Sequence, residues 1–213
     1  MLIFATMGFN FIRDYLKHRI TAKTRHGTHS PFVYKLTDEV IYDFKPKSIY
    51  ILLETLRKKL SNDALIQGKG TLAGNNSRRL DQLIYRIAKD HRPVHIVELE
   101  NSSEVTTAYL AASYASVKAG ETALKEVTGT VDLLYIGACK TGALLMDYFY
   151  THLPRFHAGS LMMVKGIYTN EEIKASWKEI KAHERVTVTV DLFWIGLVYF
   201  RKGQAKEHFK IKI

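Results

Sequence analysis

The stretch VTVTVDLFWIGLVYFRK, residues 186–202, holds two apolar, β-branched runs (186–192 and 197–202) separated by the four residues FWIG. A parallel pair needs a crossover of about a dozen residues or more, so a link this short makes the two strands antiparallel. Upstream the pattern differs. VHIVEL (94–99), VDLLYIG (131–137) and SLMMVKG (160–166) are apolar runs of strand length, with helical periodicity at 103–115, 141–152 and 170–183. A further short helix is expected near 121–127. Strands alternating with helices imply right-handed crossovers and a parallel sheet. The reading is an α/β fold whose sheet is mainly parallel and ends in an antiparallel hairpin.

Working toward the N-terminus, residues 78–90 place Leu80, Leu83, Ile84 and Ile87 on one helical face. Residues 61–77 (SNDALIQGKGTLAGNNS) have no apolar period and read as a loop. Helices are expected at 9–24, 31–43 and 47–60. In the first, Phe9, Ile12, Leu16 and Ile20 fall at helical spacing with cations on the other face. The run RHGTHSPF between the first two breaks the helix at Gly27 and restarts it at Pro31, with Ser30 or His29 near the cap. Residues 1–77 thus form an N-terminal helical extension and linker, and 78–213 the α/β domain. The three helices are expected to pack as a lid or side layer of one compact unit.

Composition narrows the class. Hydrophobic residues make up 46% of the 213 and charged residues 24%, which suits a globular chain with a real core. The net charge of +10 is uneven. Residues 13–25 hold Arg13, Lys17, Arg19, Lys23 and Arg25 against Asp14, and the tail from Arg201 to Lys212 is cation-rich. Such a surface attracts polyanions, so a nucleic-acid contact through residues 13–25 stands beside the plainer reading of solvated faces. The single Cys139 precludes an internal disulfide. The opening MLIFATMGFNFI lacks a basic region before its apolar residues and reads as the approach to a helix rather than a signal peptide. No run reaches the roughly 18 apolar residues of a span. A soluble, cytoplasmic protein with no membrane partner is expected.

Three stretches carry a resemblance: FIRDYLKHRITAKTRHGTHSPFVYKLTDEVIYD (11–43), VTTAYLA (105–111) and KASWKEIKAHERVTVTVDLFWIGLVYFRKGQAKEHFKIKI (174–213). They are similar to a family of small methyltransferase-like proteins common in Bacteroidetes, of the class I S-adenosylmethionine (SAM)-dependent type. The resemblance implies a three-layer Rossmann-like methyltransferase sheet. It also implies a cofactor turn of the form E-L-G-x-x-x-G after the first strand, whose glycines let the backbone approach the cofactor. Here that turn reads Glu98-Leu99-Glu100-Asn101-Ser102-Ser103-Glu104, with glutamate at both glycine positions. Glu98, Glu100, Ser102 and Glu104 are therefore degenerate SAM-loop positions, Glu104 serving instead as an acidic first-turn residue of its helix.

Other departures agree. Residues 116–130 are too few for the second and third strands of the family, so one sheet edge is truncated and the ribose-binding acid has no counterpart. The I-D-G-x-H of metal-dependent members is Ile136-Gly137-Ala138-Cys139-Lys140, and the paired acids after the next strand are replaced by Lys165-Gly166-Ile167-Tyr168. The expectation is a degenerate, catalytically inactive homologue acting as a binding or scaffold module, with no cofactor and no metal. The alternatives are an active SAM-dependent O-methyltransferase with a divergent loop, and a basic nucleic-acid-binding protein.

Arg25, His26, His29 and Ser30 offer either an anion or partner contact or a structural corner in which His29 and Ser30 cap the next helix. Cys139 reads as inert despite its neighbour Lys140. Tyr168, Trp177, Phe193 and Trp194 read as core or lid packing, and Asp191 as a hydrogen-bonded structural acid.

Overall fold

A computed structural model describes residues 8–66, 76–101, 103–113 and 129–213. Its sheet contains β1 (Ile96–Leu99), β2 (Val131–Ile136), β3 (Phe156–Lys165), β4 (Val188–Asp191), β5 (Ile195–Tyr199) and β6 (Glu207–Lys210), in the order β1-β2-β3-β5-β4-β6. The first three run parallel, and β5 is antiparallel to both β3 and β4. The hairpin expected at 186–202 is there, with its second strand inserted between β3 and β4. That strand begins at Ile195, earlier than the pattern suggests, because Gly196 is a strand residue and not part of the turn. A Cβ at Gly196 would come within 2.5 Å of the Trp177 ring, so the glycine lets the indole lie on the strand.

Side chains alternate between two cores, as strand geometry requires. Leu133, Tyr135, Leu161, Met163, Val188 and Val190 meet α2 (Pro31–Lys35), the π-helical turn Leu36–Ile41 and α4 (Arg78–His91). Leu134, Ile136, Met162, Val164 and Val198 meet α6 (Gly142–His152) and α7 (Glu171–Ala182) on the other face. The layers are helix, sheet, helix. Outside α4, the helices α3 (Ser48–Ile66) and α5 (Glu104–Ala112) share a smaller core of Tyr50, Leu53, Tyr85, Val105 and Tyr109. Among the described residues β1 is one edge of the sheet. The helix expected near 121–127 lies outside them.

Three expectations need correction. First, α3 runs to Ile66, into the stretch read as loop, while Ser77 caps α4 by accepting the Leu80 N–H. Residues 67–75 of that stretch lie outside the described residues. Second, the basic tail contains β6, which pairs parallel with β4 and is flanked by a bridge from Ile211 to Lys23. Third, α1 (Phe9–Thr21) packs through the face opposite to the one expected. Phe9, Leu16 and Ile20 are 81%, 55% and 83% exposed, while Asp14 and His18 are buried. The reason is that Phe11 and Tyr15 pack on Phe193 and Trp194, while His18 and Asp14 find partners on the same side. Ring contact and paired charge outweigh the aliphatic stripe.

Candidate functional site

In open α/β sheets ligands bind beyond the carboxyl ends of the parallel strands. Here that end has two halves. Over β1 and β2 lies the turn Glu98 to Glu104. Glu98 sits on β1 with its carboxylate accepting from the Asn101 side chain and, at 3.0 Å, from Thr107 Oγ1. Burial raises the Glu98 carboxyl above its ordinary value, and these two donors partly offset that. Asn101 Oδ1 also accepts the Ser103 N–H, and Ser103 Oγ accepts the Thr106 N–H as N-cap of α5. The turn is held by its own side chains. Glu104 is exposed in the first turn of α5, and Ser102 lies outside the described residues.

Glu100 is the telling residue. Its φ is +51°, a left-handed conformation that glycine adopts freely and glutamate does not. The backbone thus keeps the shape of a glycine turn with a side chain attached. That side chain crosses to α6, where its Oε1 accepts from Tyr148 Oη at 2.7 Å. The carboxylate pushes the Tyr148 phenol up to about 12. The Gly137 N–H donates to the Leu99 carbonyl at 2.8 Å and the Ala138 N–H to the Glu100 carbonyl at 3.0 Å, fastening the turn to the end of β2. Gly137 makes this approach feasible, since a Cβ there would stand 2.3 Å from the Glu100 carbonyl oxygen.

Over β4 and β5 the strand ends are closed by α1. His18 Nε2 lies 3.1 Å from both the carbonyl and Oδ1 of Asp191; two acceptors require that this nitrogen carry the proton. Tyr168 Oη donates to Asp191 Oδ2 at 2.5 Å and the Phe193 N–H to Oδ1 at 2.9 Å. Burial alone would raise the Asp191 carboxyl, but these donors hold it below the usual carboxylate range. Burial and the adjacent carboxylate push the Tyr168 phenol upward. On the next turn of α1, Asp14 pairs with Lys174 of α7. Asp191 is thus the structural acid expected of it, but as the hub of a buried cluster. His18 was hidden in a cationic segment, and the usable signal is the i, i+3, i+4, i+7 spacing of Phe11, Asp14, Tyr15 and His18.

A second buried network lies under α3, α4 and α5. Asp81 is fully buried and accepts from Arg57 Nη2 (2.6 Å), Asn76 Nδ2 (2.7 Å) and Thr106 Oγ1 (2.8 Å). Arg57 also donates to Glu54, which accepts from Tyr109 Oη at 2.9 Å. Lys165, at the end of β3, is half-buried, and desolvation lowers its ammonium pKa.

The remaining predicted residues lie elsewhere. Arg25, in the turn Arg25–Gly27, donates to Asp38. His29 is exposed. Ser30 is the N-cap residue of α2 but its side chain makes no capping bond, accepting instead from Gln204 Nε2 at 3.3 Å; the capping role expected of His29 and Ser30 is not found. The competing donor wins because Gln204 reaches Ser30 from the loop after β5. The His26 side chain lies outside the described residues. Cys139 is buried, which pushes its thiol up and away from thiolate chemistry. Among the described residues no three His, Cys, Asp or Glu gather as a metal site, and no helix is long and apolar enough to cross a membrane. Two concavities, of about 600 and 250 Å³, open at the opposite end of the sheet, where His157, Arg185 and Arg201 line one and Phe32, His91 and Tyr199 the other.

No family model and no curated protein matches the chain. Solved structures do. An O-methyltransferase from Bacillus cereus, in complex with S-adenosylhomocysteine (SAH), superposes with a TM-score of 0.51 at 15% identity, covering 76% of this chain and 95% of that one. A candidate O-methyltransferase from Klebsiella pneumoniae gives 0.50 at 11% identity, covering 76% and 94%. The chain has the class I methyltransferase fold. Within that fold the Glu98–Glu104 turn follows the first strand of the sheet, and the Asp191 cluster closes the other half of the same sheet end.

Proposed function

We propose that this chain is a methyltransferase-fold protein that does not seat SAM and works as a binding module. The observation that carries the reading is Glu100. It holds the left-handed backbone of a cofactor-turn glycine, and its carboxylate is latched to Tyr148 across the ends of β1 and β2. The amino-acid carboxylate of SAM would meet a second carboxylate there. Like charges about 4 Å apart repel by roughly 1 to 4 kcal/mol between bulk water and a protein surface. Glu98 and Asn101 satisfy each other rather than leaving donors for a ligand. The residues present in this turn do not suit the cofactor. A turn that does not hold the methyl donor is a reason to assign the scaffold recognition rather than chemistry.

Calorimetric titration with SAM and with SAH tests this. The expected result is no saturable heat up to about 1 mM, roughly −4.1 kcal/mol. A dissociation constant below about 100 μM, roughly −5.5 kcal/mol, would overturn the reading in favour of an active enzyme with a divergent loop.

A further inference from the structure

Against the expectation from sequence that the protein has no membrane partner, the geometry points to the outward face of α1, together with the adjoining C-terminal edge of the sheet, as a surface that docks on anionic lipid membranes. The inference does not depend on whether SAM binds.

Three observations converge. The inward face of α1 is fully used by Phe11, Asp14, Tyr15 and His18, so the exposure of Phe9, Leu16 and Ile20 is not a loose helix but a second apolar stripe on a well-packed one. At 100° per residue these three fall within about 40° of one another, on the side away from the sheet. Exposed Lys17 and Arg19 flank the stripe on its two sides, with Arg13 beside it. The acid of this helix, Asp14, points inward to Lys174, and Glu171 lies 4.0 Å from Arg13 at the rim.

Second, the two cation-rich segments of the sequence are brought together. The Lys23 N–H donates to the Lys210 carbonyl and the Lys212 N–H to the Lys23 carbonyl, while Arg19 Nη1 reaches the Ile213 carbonyl. Lys23, Lys210 and Lys212 are therefore joined through their backbones into a cation-rich extension beyond α1 at the edge of β6. Third, that extension carries its own exposed apolar groups. Ile213 is 42% and Phe44 75% exposed, and Phe44 stacks on Tyr42, whose hydroxyl donates to the Lys212 carbonyl.

Apolar side chains protruding from a basic face match the boundary of an anionic bilayer, where acyl chains take the former and headgroups the latter. Other occupants fit less well. A second copy packed two-fold on this stripe would set Arg13, Lys17 and Arg19 against their own equivalents. Nucleic-acid phosphates would use the cations and leave Phe9, Leu16 and Ile20 in water.

The full chain is sedimented with vesicles of phosphatidylcholine alone and with about 30 mol % phosphatidylglycerol, at about 0.05 and 0.3 M salt. Binding to the anionic vesicles, weakening with salt, is expected. Leu16→Asp with Ile20→Asp should lower partition at least tenfold, and Lys17→Glu with Arg19→Glu similarly, each cation being worth about fivefold. These positions are exposed, so unchanged thermal melts establish that the variants fold. Vesicle binding that ignores both pairs of substitutions, or no binding to anionic vesicles, overturns the inference. So does a wild-type dimer that Leu16→Asp and Ile20→Asp convert to monomer while no vesicle binding is seen. A shift of generic duplex DNA that survives the aspartate pair, without vesicle binding, assigns the face to nucleic acid instead.

Discussion

Replacing Glu100 by alanine and by glycine separates the two things this residue does. Both substitutions remove the carboxylate that accepts from Tyr148, so that loss cancels between them. They differ in backbone. An L-residue held left-handed is destabilised by about 1–2 kcal/mol, whereas glycine is not. Against this, glycine loses about 0.5–1 kcal/mol more conformational entropy on folding than alanine. At φ +51° the first effect prevails. Glu100→Gly should therefore be more stable than Glu100→Ala by about 0.5–1 kcal/mol, the reverse of their order at an ordinary position. Urea unfolding reads this directly, and a melt would show about 2 °C between the variants. If alanine equals or exceeds glycine, the turn is not a glycine turn occupied by a glutamate, and the account of this site fails.

Other consequences follow from the same geometry. Asp191→Ala should cost about 3 kcal/mol or more, because it strands His18, Tyr168 and the Phe193 N–H together; a double-mutant cycle with His18→Ala should show a coupling of at least about 0.5 kcal/mol, and strict additivity would contradict the pairing. Gly137→Ala should cost about 1–3 kcal/mol and strip hydrogen-exchange protection from the Ala138 amide, since its Cβ would displace the Glu100 carbonyl; retained protection would argue against the close approach. Stability should fall on acidification in two stages. Burial depresses His91, His152 and His208 below 6.5, so from about pH 6.5 downward the unfolded chain takes up protons that the folded one resists. Asp191, Asp132 and Asp14, held below 3.8, add a second loss below about pH 4 by the same sign. A urea midpoint that is flat from pH 7 to 4 would refute the first stage.

The sheet was legible where the sequence has one reading. Val186–Leu192 and the run after Trp194 are too close for a crossover, and the apolar runs at 94–99, 131–137 and 160–166 are the length of strands. What stayed hidden depended on tertiary contact. Phe209 and Ile211 alternate with Lys210 and Lys212, a strand pattern masked by charge, and β6 exists because β4 offers it an edge. The apolar period of α1 is real but points outward, since propensity says which residues share a face and not which face finds a partner. At the site, the resemblance implies glycines where Glu100 and Glu104 stand, and only the residue types at those positions could be read from the chain. That Glu100 keeps the left-handed backbone and reaches Tyr148 could not, because the chain order says nothing of residues 48 apart meeting across two strand ends.

The central claim concerns the turn between β1 and α5, and a crystal soaked with about 2 mM SAH probes it most directly. The account predicts an unchanged turn, Glu100 still joined to Tyr148 and no nucleoside density beyond Leu99. Clear density for SAH against Glu98 to Glu104, with the Glu100–Tyr148 contact broken, would contradict it.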